Sequence, residues 1–122
     1  SSAASDVYKR QAYMAGELKH GPIALIEKDT VVIALATQPS VAQKTISNIL
    51  ETVARGAKVI LIASQSQNTE GFEYVIRIPD VDPLLSCIPA TVLLQELAYY
   101  VAKEKGCDVD KPRNLAKSVT VE

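Results

Sequence analysis

The chain lacks an excess of charge of either sign. Its 13 lysines and arginines stand against 14 aspartates and glutamates in 122 residues, a net charge of −1. No basic field exists to hold a phosphodiester backbone, so neither nucleic acid nor an anionic membrane is an expected partner. Long apolar runs are missing too: stretches such as VVIALA at 31–36 fall far short of the roughly 20 residues that span a bilayer, and no secretory leader is visible. A cytoplasmic address is the expectation. Cysteine is scarce, and Cys87 and Cys107 have neither the close spacing nor the histidine company of a zinc site, nor the number for a disulfide framework. Both are expected to be buried packing thiols. Also absent are GxGxxG, a Walker loop, GxSxG and HExxH, which leaves dinucleotide, P-loop, hydrolase and zinc-protease chemistry without an anchor.

What is present suits one folded domain: 48% hydrophobic residues beside 22% charged ones. The opening SSAASDVYKRQ has no apolar periodicity and resembles a translated sequencing adapter, so residues 1–11 are expected to be a non-native leader and 12–122 the domain. Good helix formers run from Ala12 to Lys19, Gly21-Pro22 breaks them, and a short helix follows to Ile26. TVVIALAT at 30–37 and KVILIAS at 58–64 are apolar on both faces, as strands covered on each side are, and YVIRIP at 74–79 is a third strand. Between the first two, Ser40 and Gln43 form a capping box for a helix whose face is Ile46, Ile49, Leu50 and Val53, closed by Arg55-Gly56. Asp82-Pro83 opens a long helix with Leu84, Ile88, Val92, Leu93, Leu97 and Val101 on one face, and Pro89 bends it or marks its true start. Non-alternating strands separated by helices predict an α/β three-layer sandwich, its mainly parallel sheet flanked by helices and incomplete at the N-terminal edge.

Candidates for chemistry are few. Ligands of open α/β sheets bind beyond the carboxyl ends of the strands, here Thr37-Gln38 and Ser64-Gln65-Ser66. His20, the only histidine, sits in GELKHGP at a helix junction, where backbone contacts alone would satisfy it. The close, DKPRNLAKSVTVE at 110–122, is unusual for a tail: Pro112 fixes the backbone, Ala116 and Ser118 leave space beside Lys117, and Val119-Thr120-Val121 is apolar enough to pack. By itself Lys117 reads as a solvated terminal lysine.

AGELKHGPIALI at 15–26 and DVDKPRNLAKSVTVE at 108–122 resemble the last part of the glucosamine-6-phosphate synthase family, the second half of its sugar-isomerase (SIS) region, and bracket nearly all of 12–122. The resemblance implies a reaction that adds glutamine-derived ammonia to fructose 6-phosphate and isomerises the product to glucosamine 6-phosphate, with neither metal nor organic cofactor. It implies that Lys117 forms a Schiff base with the open-chain sugar, which requires its neutral amine; Arg113 and a snug apolar tail are fitted to lower its pKa. His20 opens the sugar ring, reaching into the neighbouring subunit's site, a task suited to a near-neutral imidazole, and Ala116 borders the sugar. Glu17 and Lys19 support His20. The implied partners are the sugar phosphate, a glutaminase domain, the first SIS domain and a second copy in a homodimer. The family's isomerising glutamate falls upstream of AYMAGELKHGP, where Asp6 does not match it and Gln11 replaces another glutamate. The chain is therefore expected to be an inactive piece of the synthase. A related SIS sugar-phosphate deaminase or deglycase, or a non-catalytic sugar-phosphate sensor, remains an alternative.

Overall fold

A computed structural model describes residues 11–111. Lys117, Ala116, Arg113 and Pro112, with most of the expected leader, lie outside the described residues. Three strands, β1 (Val31–Ala36), β2 (Lys58–Ser64) and β3 (Tyr74–Ile78), form one parallel sheet in the order β1-β2-β3. Helix α1 (Pro39–Ala54) links the first two, and α2 (Cys87–Glu104) follows the third. Two 3₁₀ helices, Ala15–His20 and Pro22–Leu25, precede β1, and a third, Pro83–Leu85, precedes α2. The α/β class and the parallel sheet are as the apolar, β-branched strands predict.

Pairing places Ala34, Leu61 and Val75 side by side across the sheet, with Ile33, Ile60 and Tyr74 the row before. Side chains alternate along a strand, so Ala34, Ala36, Val59, Leu61 and Ala63 share one face. On that face they form the core with Ala42, Ile46 and Ile49 of α1 and with Leu18, with Leu50 and Val53 packed at its margin. The α1 face read from periodicity is thus the buried one. Thr52, also fully buried, escapes a desolvation cost because its hydroxyl donates to the Ile49 carbonyl at 2.7 Å.

Several expectations are corrected. The capping box does not form: Gln38 is the N-cap of α1, Pro39 occupies the first turn, and Ser40 is already helical with no side-chain cap bond. Proline, with φ preset and no N–H to satisfy, starts the helix two residues earlier than a Ser40 cap would. The opposite end behaves as read, for Gly56, at φ 88°, donates to the Val53 carbonyl while Ala57 donates to Thr52. Glycine is favoured there by the positive φ, since a Cβ would meet the Lys28 backbone only at 3.4 Å, close to ordinary contact. Beside this turn Lys58 pairs with Asp29 at 2.9 Å, and that hydrogen bond raises the lysine pKa above its ordinary value.

Cys87 and Cys107 are exposed, not packed. β1 is covered on one face only; Val31, Ile33 and Leu35 on the other remain 45–63% exposed, and β1 is an edge strand with no strand described beyond it. The long helix behaves similarly. Pro83–Glu104 is long and apolar enough to cross a membrane, which the uninterrupted-run count did not anticipate, since Glu96 and the flanking polar residues break the sequence run without breaking the helix. Leu84, Ile88, Val92 and Val101, expected inward, are exposed, whereas Ser86 and Ala90 are buried and Leu93 and Leu97 half-buried. The inner stripe therefore runs through small residues at its start. Pro89 falls in the first turn of α2, so it marks the start and makes no kink.

Candidate functional site

The segment carrying His20 is built from its neighbours upward. Ala15 and Leu18, one 3₁₀ turn apart, lie together on the α1 side: Leu18 is 8% exposed within the core and Ala15 packs against it. Lys19 Nζ meets Glu51 Oε1 of α1 at 2.7 Å. His20 ends the 3₁₀ helix with its side chain exposed. Gly21 follows at φ 150°, ψ −51°, a conformation side chains rarely adopt, and Pro22 begins the next turn. The junction read from the sequence is therefore real, although the first helix is 3₁₀ and begins at Ala15, not Ala12. Glu17 has no ion-pair partner among the described residues, whereas Lys19 does.

The carboxyl ends of the strands are shaped by a residue that sequence reasoning passed over. Arg77, on β3, sends Nη1 to the carbonyls of Ser64 (2.9 Å), Gln67 (2.7 Å) and Gln65 (3.3 Å), and Nη2 to Thr69 Oγ1 (2.7 Å). One guanidinium thus replaces water for the whole turn after β2. Ser66 is tied down separately, its hydroxyl donating to Asp80 Oδ1 at 3.0 Å. The Ser64 hydroxyl is buried without a hydrogen-bond partner among the described residues. These contacts join residues eight to fourteen apart, too far for a local motif to announce them. Arg77→Ala is expected to cost about 1–2 kcal/mol, the scale of charge-assisted bonds partly replaced by water. Hydrogen exchange should quicken at residues 65–70 and stay slow in β2; protection left intact in that loop would contradict the assignment.

A cavity of about 430 Å³ lies along the free edge of β1, walled by Tyr13, Met14, Leu25, Val31, Ile33 and Leu35. It is apolar, and His20 does not border it. No cluster of metal-ligating side chains occurs among the described residues. What the described part of the site offers is a single exposed imidazole on a well-held turn, next to a lysine engaged elsewhere. The residues expected to complete it in sequence, Ala116 and Lys117, fall beyond Lys111.

The SIS domain family matches residues 8–101. Among curated proteins, the glutamine–fructose-6-phosphate aminotransferase [isomerizing] of Clostridium acetobutylicum is 56% identical over 114 residues, and the enzyme of that name from Clostridium tetani is 59% identical over 118. Each match covers 92% of this chain, which spans 19% of the length of those relatives. The solved C-terminal domain of glucosamine-fructose-6-phosphate aminotransferase from Francisella tularensis superposes over 84% of this chain and 30% of its own, with a TM-score of 0.74 and 37% identity. With a parallel sheet, an α1-side core and a family match over residues 8–101, through most of α2, the chain belongs to the SIS domain family.

Proposed function

We propose that this chain is the second sugar-isomerase half of a glucosamine-6-phosphate synthase, carrying its imine-forming lysine and its ring-opening histidine. The observation that carries the reading is the identity of 56% spread over 92% of the chain to an isomerizing aminotransferase. The tail, PRNLAKSVTVE, supports it further, since a lysine between alanine and serine has room to meet a carbonyl.

In this reading fructose 6-phosphate is held mainly by another sugar-isomerase half, and ammonia arrives from a glutaminase domain acting on glutamine. His20 moves a proton between the ring oxygen and solvent, opening the sugar bound to the partner chain of a homodimer. Its exposure and position at the end of a short helix suit a residue that works outside its own subunit. The Lys117 amine then attacks the exposed carbonyl at carbon 2, water leaves, and the imine forms; Ala116 borders the sugar. Ammonia displaces the lysine, and the proton shift from carbon 1 to carbon 2 requires a carboxylate that this chain does not provide at Asp6 or Gln11. The scheme uses no metal or organic cofactor, and a cytoplasmic enzyme of sugar-phosphate metabolism fits it.

The test is a hybrid in which residues 12–122 replace the matching fifth of the Clostridium acetobutylicum enzyme. The hybrid is expected to make glucosamine 6-phosphate from fructose 6-phosphate and glutamine, and the 122 residues alone to make none even with added ammonia. A folded, dimeric hybrid that binds fructose 6-phosphate without turning it over would reject the proposal.

A further inference from the structure

We propose that Glu51, acting through Lys19, is a positioning residue for His20. The inference rests on the functional reading of His20 given above.

A 3₁₀ helix has three residues per turn, so Leu18, Lys19 and His20 project about 120° apart around its axis. Leu18 enters the core, and Ala15 beneath it shares that contact. These two lie on one line, which fixes where the helix sits but leaves it free to rock about that line. Lys19 supplies the second direction. Its Nζ reaches Glu51 Oε1 at 2.7 Å, and Glu51 stands near the end of α1, a helix packed on the sheet through Ile46 and Ile49. Two held directions out of three determine the last. His20 projects outward because Leu18 is committed to the core and Lys19 to Glu51 on α1.

On the far side the frame is equally stiff. Gly21 turns the chain at φ 150°, ψ −51°, Pro22 sets the next φ, and Ala24 donates back to the Gly21 carbonyl at 2.9 Å. No hydrogen bond holds the imidazole itself among the described contacts, so its aim depends on the backbone carrying it. Both partners of the ion pair are about half exposed, 52% and 43%, and its contribution to overall stability is accordingly small. Its effect is directional. Glu17 makes no such ion pair among the described residues.

His20, being the only histidine, gives an isolated imidazole signal in nuclear magnetic resonance spectra of the 122-residue chain. Glu51→Gln and Lys19→Gln are each expected to move that signal toward the free-histidine position and to increase ring motion, leaving the Leu18 and Ile49 amides unchanged. The charge exchange K19E/E51K is expected to restore it. An imidazole signal unmoved by Glu51→Gln, or one not restored by the exchange, overturns the proposal. In the hybrid synthase, Glu51→Gln should lower kcat about two- to fivefold, the scale of an exposed ion pair, with KM for fructose 6-phosphate unchanged; an unchanged kcat also overturns it. His20→Ala in the same hybrid separates the two claims. If it leaves kcat intact, the ring-opening assignment falls, whereas a fall in kcat with His20→Ala but not with Glu51→Gln removes the positioning claim alone.

Discussion

Leu61→Ala is expected to destabilise the domain by about 3 kcal/mol and to lower its unfolding midpoint by roughly 10 °C or more. Leu61 is fully buried on the middle strand, between Ala34 of β1 and Val75 of β3. The surrounding core is rich in alanine: Ala34, Ala36, Ala42, Ala57 and Ala63. Alanine has no side-chain rotamers with which to fill a void, so the space left by the missing isobutyl group persists and its lining loses dispersion contacts. Ile46 and Ile49 could move only by shifting α1, which is fastened to β2 through the Gly56 turn. Val31→Ala provides the contrast. At 63% exposed, on the uncovered face of β1, it should cost under about 1 kcal/mol. Thermal unfolding of the two variants checks the assignment, and equal losses would mean that the core is not where the burial pattern puts it.

The same alanine-rich core explains what could be read from the sequence and what could not. The strands and the inward face of α1 were legible because β-branched runs and a 3.6-residue period are local signals. The start of α1 differs from the expectation because Ser40 and Pro39 each announce a helix start, and with the proline as first helical residue the helix begins two positions sooner. The faces of β1 and α2 failed for a different reason. VVIALA and the residues from Leu84 to Val101 have the composition of covered elements, but composition does not say which neighbour does the covering, and Val31, Ile33, Ile88 and Val92 stay exposed among the described residues. The cysteines failed similarly: a general preference for burial does not fix two particular thiols on the outer part of α2 and just after it.

At the candidate site the division is sharper. His20 and its Gly-Pro turn were visible because they are contiguous in the chain. Arg77 and Glu51 were not, because each acts on residues brought close by the sheet or by α1, with 32 positions separating Lys19 from Glu51. Chemistry-bearing residues tend to announce themselves in short motifs, and those that aim them do so only after folding.

Lys117→Arg in the hybrid synthase is expected to abolish the sugar adduct trapped by borohydride and to reduce glucosamine 6-phosphate formation by at least about 10³-fold, the scale seen when a covalent nucleophile is removed. Arginine has nearly the length of lysine and carries a positive charge, so electrostatic attraction for the phosphorylated sugar is not lost. What it lacks is an accessible neutral amine. Imine formation needs a nitrogen lone pair to attack carbon 2, with two protons leaving that nitrogen as water departs, and a guanidinium, which stays protonated with its lone pairs delocalised at neutral pH, does not offer that lone pair. Mass measurement of the reduced protein checks both arms: the unaltered hybrid should gain one sugar phosphate on the peptide containing Lys117, and the variant none. Fructose 6-phosphate affinity is expected to change little, which separates loss of chemistry from loss of binding. Were the adduct to persist in the variant, the nucleophile would be another lysine and the tail would be a wall of the site without its reactive group. Were both adduct and turnover to survive, the sugar would never have been joined to this part of the chain.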